Sequence, residues 1–387
     1  MKIVTIVGAR PQFIKAAAVH RAIRRYRQKC FSLKGSRSKK RLQEIWVHTG
    51  QHYDTLMDKV FFEELELPKP GYHLGVGSGS HAKQTGLMLE RIESVLEKEK
   101  PETVIVYGDT NSTLAGALAA AKLHIPVAHV EAGLRSYNRI MPEEVNRLLV
   151  DHLSTFLFCP TAQAVRNLSK EGIKENKAKI IRNVGDVMYD SILHYSKVAE
   201  KKSSILKDLD LYFTTPNSEL RTQNYYLATL HRAENTDNTK RLRTILKALD
   251  EIGKDTSVIF PLHPRTRKRM EAHFNFFEFV HIKFIDPVSY LDMLQLEKNA
   301  KAILTDSGGV QKEAYWLKIP CLTLREETEW VETVKCGWNQ LVGTESKRIV
   351  RGIKDLENRR FFKRRKETFG EGRASEKIIQ ILIGCMG

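Results

Sequence analysis

The chain has 387 residues, enough for two ordinary hydrophobic cores, and its 42% hydrophobic and 28% charged residues are the balance of a globular protein. No run of about 18 uncharged apolar residues occurs, so no membrane span is expected. Five cysteines without a CxxC pair argue against a disulfide framework or a structural zinc site and fit a reducing cytoplasm.

The formal net charge of +17 attracts anions, phosphorylated substrates among them. Much of it lies in two basic stretches, Arg21 to Arg41 and RRFFKRRK from Arg359, which read as solvated segments. No helix-turn-helix, zinc-finger or RNP-type pattern accompanies them, so no nucleic-acid partner is expected.

The opening run, Met1–Gly8, is too short for a signal h-region, and a first buried strand is expected at Ile3–Gly8. Further short runs rich in β-branched residues, the mark of buried parallel strands, are predicted at Ile45–Thr49, Val104–Gly108, Val127–Glu131, Thr155–Cys159 and Ile180–Asn183. Helical patterns separate them at Pro11–Arg25, His81–Lys98, Ser112–Leu123, Pro142–His152 and Ala162–Glu171. After a bridging helical stretch, Val187–Lys201, and a turn-like insertion, Asp210–Arg221, the alternation restarts. Strands are predicted at Tyr225–Leu230, Ser257–Leu262, Ile282–Ile285, Ala302–Thr305 and Cys321–Leu324, with helices at Lys240–Ile252, Tyr290–Glu297 and Gly309–Leu317.

The expected fold is therefore α/β, with two doubly wound Rossmann-like domains. The first covers residues 1–185 and the second residues 186–365, with a C-terminal helix in 366–387 packing back on the first. Open parallel sheets bind ligands at the carboxyl ends of their strands. The polar motifs stand at those ends: GARP from Gly8, TGQH from Thr49, GDTN from Gly108, EAG from Glu131, HRAEN from His231, HPR from His263 and DSGG from Asp306. Two such rims facing one cleft is the simplest arrangement they imply.

Each motif has its own chemistry. In DSGG, the amides of Gly308 and Gly309 at a helix start, with the Ser307 hydroxyl, suit a phosphate; a tight turn capped by Ser307 explains the same residues. Glu313, one turn on, can accept hydrogen bonds from a ribose diol. Gly8 stands alone where a dinucleotide fingerprint needs GxGxxG, which argues against bound NAD. Arg10 and Lys15 bring two cations suited to a leaving diphosphate, or are surface charge at a helix start.

The carboxylates Asp109, Glu131 and Glu143 are candidates for general acid and base work. Helix-start roles account equally for Asp109, as a cap, and for Glu143 and its neighbour Glu144 after Pro142. His231 is placed to touch a phosphate or protonate a leaving group, and His263 is a weaker candidate. His52 and His129 read equally as satisfied structural histidines. No HExxH motif occurs, and no metal is expected.

Taken together and in order, GARPQFIK from Gly8, TGQH, GDTNST from Gly108, HVEAGLRS from His129, MPEEVNR from Met141, LHRAEN from Leu230 and DSGGVQKEA from Asp306 resemble the non-hydrolysing UDP-N-acetylglucosamine 2-epimerases across nearly the whole chain. The resemblance implies the two-domain fold shared with GT-B glycosyltransferases, as a homodimer. It implies anti elimination of UDP to a 2-acetamidoglucal and re-addition with the carbon 2 proton on the other face, with no cofactor. By the same resemblance Asp109, Glu131 and Glu143 are catalytic acids and His231 the histidine of an HR-x-E motif. Arg10 and Lys15 are its phosphate-end cations, Ser307, Gly308 and Gly309 its diphosphate loop and Glu313 its ribose acid. Arg135, Arg232, Glu234 and His263 complete the UDP-sugar ligands.

Many bacterial members read GTRPE where this chain reads GARPQ. Members regulated by a second substrate molecule carry a glutamine and an Arg-Gln pair where this chain has Asp54 and Lys83-Gln84, so the resemblance does not by itself imply that regulation. GARPQF and the loop from Ser136 to Met141 resemble relatives acting on UDP-2,3-diacetamido-2,3-dideoxyglucuronate, whose carboxylate Arg139 is suited to meet. A glycosyltransferase or a non-catalytic UDP-sugar binder on the same fold is the alternative class.

Overall fold

The computed structural model describes residues 1–32, 42–51, 61–214, 220–222, 224–358 and 368–385. Two compact units divide the chain: Met1–Leu193 with Glu367–Gly387, and His194–Lys366. The division falls inside the helix Val187–Lys202.

The first unit is built on a seven-stranded sheet. Its strands are β1 (Lys2–Val7), β2 (Gln43–His48), β3 (Tyr72–His73), β4 (Thr103–Tyr107), β5 (Val127–Val130), β6 (Phe156–Cys159) and β7 (Ile180–Asn183), in the order β3-β2-β1-β4-β5-β6-β7. Every pairing is parallel. The central strands β4, β5 and β6 are buried at every position, because helices cover both faces and leave no face for polar alternation. One face packs Val4, Ile6, Val104 and Val106 against Met88, Ile92 and the small residues Ala115, Ala117 and Ala119.

The C-terminal helix Ala374–Cys385 belongs to this unit. The amides of Ala374 and Ser375 and the Ser375 hydroxyl donate to Asp190 at 3.1, 2.8 and 2.6 Å. These are the unpaired donors of a helix start, and a buried carboxylate satisfies them.

The second unit carries a short antiparallel pair, β8 (Tyr212–Thr214) and β9 (Leu220–Thr222). Its main sheet has six parallel strands: β10 (Tyr226–Thr229), β11 (Val258–Pro261), β12 (Ile282–Ile285), β13 (Ala302–Thr305), β14 (Cys321–Thr323) and β15 (Asn339–Leu341). Their order is β12-β11-β10-β13-β14-β15. Leu242, Ile245, Leu246 and Leu249 of the helix Thr239–Gly253 fill one face of its core. The α/β class and the two doubly wound sheets are as the sequence implies.

Several elements escape the sequence pattern. The first helix runs from Arg10 to Ser32, beyond the expected Arg25. The edge strands β3 and β15 have two and three residues, too few to show a period. The helix Pro264–His273 buries only Thr266 and Met270 and is otherwise dominated by charge. Residues 33–41 and 359–366 of the basic stretches lie outside the described residues, as do His52, Asp54 and the turn at Pro216, Asn217 and Ser218. Among the described residues no helix is long and apolar enough to cross a membrane.

Candidate active site

In each sheet the strand order reverses once, and the crevice at the carboxyl ends opens there. In the first unit that point lies between β1 and β4. Gly8 and Gly108, which follow those strands, stand at it. A Cβ on Gly8 would sit 2.0 Å from Thr49 Oγ1 and 2.2 Å from Ser112 Oγ, so only glycine allows the two loops to close. Gln12 joins the loops: its Oε1 accepts from the amides of Gly8 and Ala9 at 2.8 and 3.1 Å. Its Nε2 donates to Tyr107 O and Thr113 Oγ1, each at 3.0 Å. Only an amide both accepts and donates in this way, which gives the glutamine of GARPQ a physical reason.

Lys15 projects from the first helix and pairs with Oε2 of Glu131, and both side chains are less than a tenth exposed. Gly108 passes close by: a Cβ there would lie 2.9 Å from Lys15 Nζ and 3.2 Å from Glu131 Oε2. Glu131 holds φ at +77° without being glycine. Such strain is costly and persists where surrounding contacts enforce it, often at functional sites. Arg10 opens the same helix with its guanidinium 4.4 Å from the Phe61 ring centroid.

Asp109 does not cap the following helix, Asn111–Lys122; Thr110 does, in a capping box with Thr113. The Asp109 carboxylate instead accepts from Arg147 Nε and Nη2 at 2.9 and 2.6 Å. Arg147 also donates to Glu144 at 2.8 Å. Glu144 is buried and accepts from the amides of Ser136 and Tyr137 at 3.0 and 2.9 Å. Burial pushes its pKa up, but these amides and Arg147 outweigh that and hold it below the ordinary range. Of the two adjacent glutamates it is therefore Glu144 that shapes the Ser136–Met141 loop. Glu143 is half-buried, and its carboxylate makes no hydrogen bond among the described residues.

Arg135 is expected among the ligand groups, but the structure turns it inward. Its side chain is 0% exposed. Nε and Nη2 donate to Glu171 at 2.7 and 2.6 Å, and Nη1 to Asp151 at 2.7 Å and Leu134 O at 2.6 Å. It braces the loop and offers no guanidinium face to a ligand. Arg139 is exposed on the loop that Glu144 holds.

In the second unit the reversal lies between β10 and β13. Asp306 closes β13, fully buried, and pins the loop after β10. It accepts from the amides of His231 and Arg232 at 3.1 Å each and from Asn235 Nδ2 at 3.2 Å. Burial nevertheless dominates and raises its pKa. The His231 ring, a third exposed, lies 5.4 Å from that of His263. His263 Nδ1 accepts the Arg265 amide at 3.2 Å, capping the helix Pro264–His273. Glu234 is half exposed and accepts from Arg325 Nε at 3.1 Å.

Ser307 caps the helix Gly308–Leu317, so Gly308 and Gly309 present first-turn amides with no partner inside the helix. A Cβ on Gly308 would lie 3.2 Å from Trp330 Nε1, 3.7 Å from Glu329 Oε2 and 3.8 Å from Arg232 Nη2. Three polar ends from two segments, Arg232 after β10 and Glu329–Trp330 after β14, therefore converge on one helix start. Glu313 is buried in the second turn. Among the described residues no group of three His, Cys, Asp or Glu is placed to hold a metal ion.

Comparison with known proteins bears on this geometry. The sequence profile of the UDP-N-acetylglucosamine 2-epimerase family matches residues 34–383. The chain belongs to this family. It is 54% identical to a UDP-N-acetylglucosamine 2-epimerase homolog of Methanococcus maripaludis, covering 99% of each chain. It is 48% identical to the UDP-2,3-diacetamido-2,3-dideoxy-D-glucuronate 2-epimerase of Pseudomonas aeruginosa, again over 99% of each. The Methanocaldococcus jannaschii UDP-GlcNAc 2-epimerase, solved in complex with UDP-GlcNAc and UDP, superposes with a TM-score of 0.85 at 47% identity, covering 99% of each chain. This epimerase is thus an isomerase, and its family relationship covers both units.

Arg147, Gln12, Trp330 and Arg325 lie beyond the residues the sequence singles out. Arg147 stands in the MPEEVNR motif and Gln12 in GARPQFIK, so motif membership pointed at both. Trp330 and Arg325 follow β14 outside any quoted motif, and only packing brings them to Gly308 and Glu234.

Proposed function

We propose that this epimerase interconverts UDP-GlcNAc and UDP-ManNAc without NAD, by anti elimination of UDP and re-addition through 2-acetamidoglucal. The observation that carries this reading is the Lys15–Glu131 ion pair at the reversal point of the first sheet, beside Asp109 in the grip of Arg147. A hydrogen beside the anomeric carbon is a poor acid. Its removal must be coupled to departure of UDP: the C2–H pair forms the C1=C2 bond as the C1–O bond breaks. Re-addition reverses this, with the proton delivered to the opposite face, so nothing is oxidised or reduced.

In this reading Asp109, Glu131 and Glu143 move the protons, and His231 meets the departing diphosphate. Arg10 and Lys15 balance its charge. Ser307 and the first-turn amides of Gly308 and Gly309 hold phosphate oxygens, where an oriented helix start favours an anion. Glu313 takes the ribose hydroxyls, and Arg232, Glu234 and His263 complete the UDP contacts. The enzyme works as a cytoplasmic homodimer, which light scattering tests as twice the chain mass.

A second substrate has an observation of its own. The 48% identity to the P. aeruginosa enzyme and the exposed Arg139 favour the same chemistry on UDP-2,3-diacetamido-2,3-dideoxyglucuronate. Proton NMR in heavy water with each sugar in a separate tube decides both questions. Loss of the carbon 2 proton signal with appearance of the manno epimer identifies the substrate. No exchange with either sugar, while UDP still binds, overturns the reading.

A further inference from the structure

The turns that carry two of the candidate acids are tied to one buried pair. His129 of β5 and Asp151 of the helix Pro142–Leu153 are each 0% exposed. His129 Nδ1 lies 2.7 Å from Asp151 Oδ1, and Nε2 lies 2.8 Å from the carbonyl oxygen of Gly108. A carbonyl only accepts, so Nε2 carries a hydrogen. A second proton must lie between Nδ1 and Oδ1.

The other carboxylate oxygen of Asp151 accepts from Arg135 Nη1 at 2.7 Å and from the Gly133 amide at 3.1 Å. The Arg135 guanidinium on that oxygen, with the Gly133 amide beside it, holds the carboxylate ionised. The shared proton belongs to the ring, which is then an imidazolium. Burial alone would raise the Asp151 pKa, but His129 and Arg135 hold it below the ordinary range. The charges around the pair include Glu171, bonded to Arg135, Lys179, whose Nζ donates to Asp151 O at 3.4 Å, and the Lys15–Glu131 pair beside Gly108.

Both ends of the pair reach strained turns. Gly108 immediately precedes Asp109 and has φ at +65°; Gly133 comes two residues after Glu131 and has φ at +79°. Glu131 itself stands at +77°. Glycine is conformationally permissive, so a bond from rigid secondary structure to each of these glycines helps to decide where the neighbouring carboxylate points. One ion pair supplies that bond to each turn.

We infer that His129 and Asp151 are positioning residues for the epimerisation, fixing the Gly108–Asp109 and Glu131–Gly133 turns so that their carboxylates keep a productive geometry. They act through the backbone and touch no substrate. The inference rests on the proposed epimerase reading and adds two residues to it.

Two substitutions separate positioning from mere core filling. His129→Gln keeps a side-chain amide able to donate to Gly108 O and loses the bond to Asp151. Asp151→Asn keeps the shape and the bonds from Arg135 and Gly133, but turns an N–H toward Nδ1, so the ring must become neutral. Both variants should bind UDP with unchanged affinity and show little change in KM, while kcat falls about a hundredfold, the scale of a misplacement near 1 Å. A near-normal kcat in either folded variant overturns the inference, and so does a loss of UDP affinity in step with kcat. The nitrogen-15 spectrum of the wild-type protein gives a reading that needs no variant: both His129 ring nitrogens should resonate as protonated. A bare ring nitrogen overturns the inference even if both variants fail to fold. If the wild-type enzyme turns over neither sugar, the epimerase reading fails instead, and the spectrum still reports on the pair.

Discussion

Lys15 and Glu131 meet as a buried ion pair beside Gly108, one from the first helix and the other from the turn that ends β5. Neither partner has much water to fall back on, so each depends on the other for its solvation.

Lys15→Met should therefore destabilise the protein by about 3 kcal/mol, because the buried Glu131 carboxylate loses its cationic partner. The double variant Lys15→Met with Glu131→Gln should lose less than the sum of the single losses, because no charge is then stranded. Urea unfolding of the four proteins measures the coupling. Strict additivity would show that the two side chains do not pair in solution. All three variants should be inactive, with UDP binding retained at least in Glu131→Gln.

Gly108→Ala tests the same corner from the backbone. The new Cβ would have to push Lys15 Nζ from 2.9 Å, and alanine at φ +65° costs roughly 1–2 kcal/mol. A lowered melting temperature together with lost turnover is expected. Gly75 also has a positive φ, +60°, but nothing lies within 4 Å of its Cβ position. Gly75→Ala should lose stability without losing turnover, which separates strain from crowding.

Strand runs and the motifs that follow them were legible because a sheet covered on both faces demands continuous apolar strands and leaves polar residues only at their ends. Hence β13, buried at every position, falls at its predicted limits, Ala302–Thr305. Partner choice was not legible. Glu143 and Glu144 are neighbours of one type after one proline, and only the helix phase turns Glu144 inward to Ser136, Tyr137 and Arg147. Arg135 reads as a cation in a ligand motif, yet Glu171, 36 positions later, and Asp151 draw it into the core. His129 carries no sign in its own neighbourhood that Asp151 lies opposite it.

Glu144 also sets a pH dependence. Its folded pKa is below the ordinary glutamate value, so as pH falls the unfolded chain takes up the proton first. Its contribution to stability is complete above an unfolded pKa of about 4.3 and is lost as pH drops through the lower folded value. The melting-temperature gap between wild type and Glu144→Gln should be widest near neutral pH and shrink below about pH 4. A gap that stays constant into acid would mean that Glu144 is not held ionised by the loop and Arg147. Because Arg147 also grips Asp109, the variant should lose activity as well.

The diphosphate loop offers a test in which two adjacent glycines should differ. A methyl group on Gly308 would start 3.2 Å from Trp330 Nε1, inside the point where Arg232 and Glu329 also converge. One on Gly309 meets only Ser307 Oγ, at 3.7 Å, an ordinary contact. Neither residue has a positive φ, so backbone strain does not confuse the comparison. Within the helix both changes slightly favour helical structure, by up to about 1 kcal/mol. Gly308→Ala should then weaken UDP binding by about tenfold or more, equivalent to about 1.4 kcal/mol, by blocking approach to the first-turn amides and displacing Trp330. Gly309→Ala should leave UDP affinity and melting temperature close to wild type. Titration calorimetry with UDP measures both. Equal losses in the two variants would mean that both amide positions contact the nucleotide closely. Equal retention would move the diphosphate away from this helix start and remove Ser307, Gly308 and Gly309 from the site together.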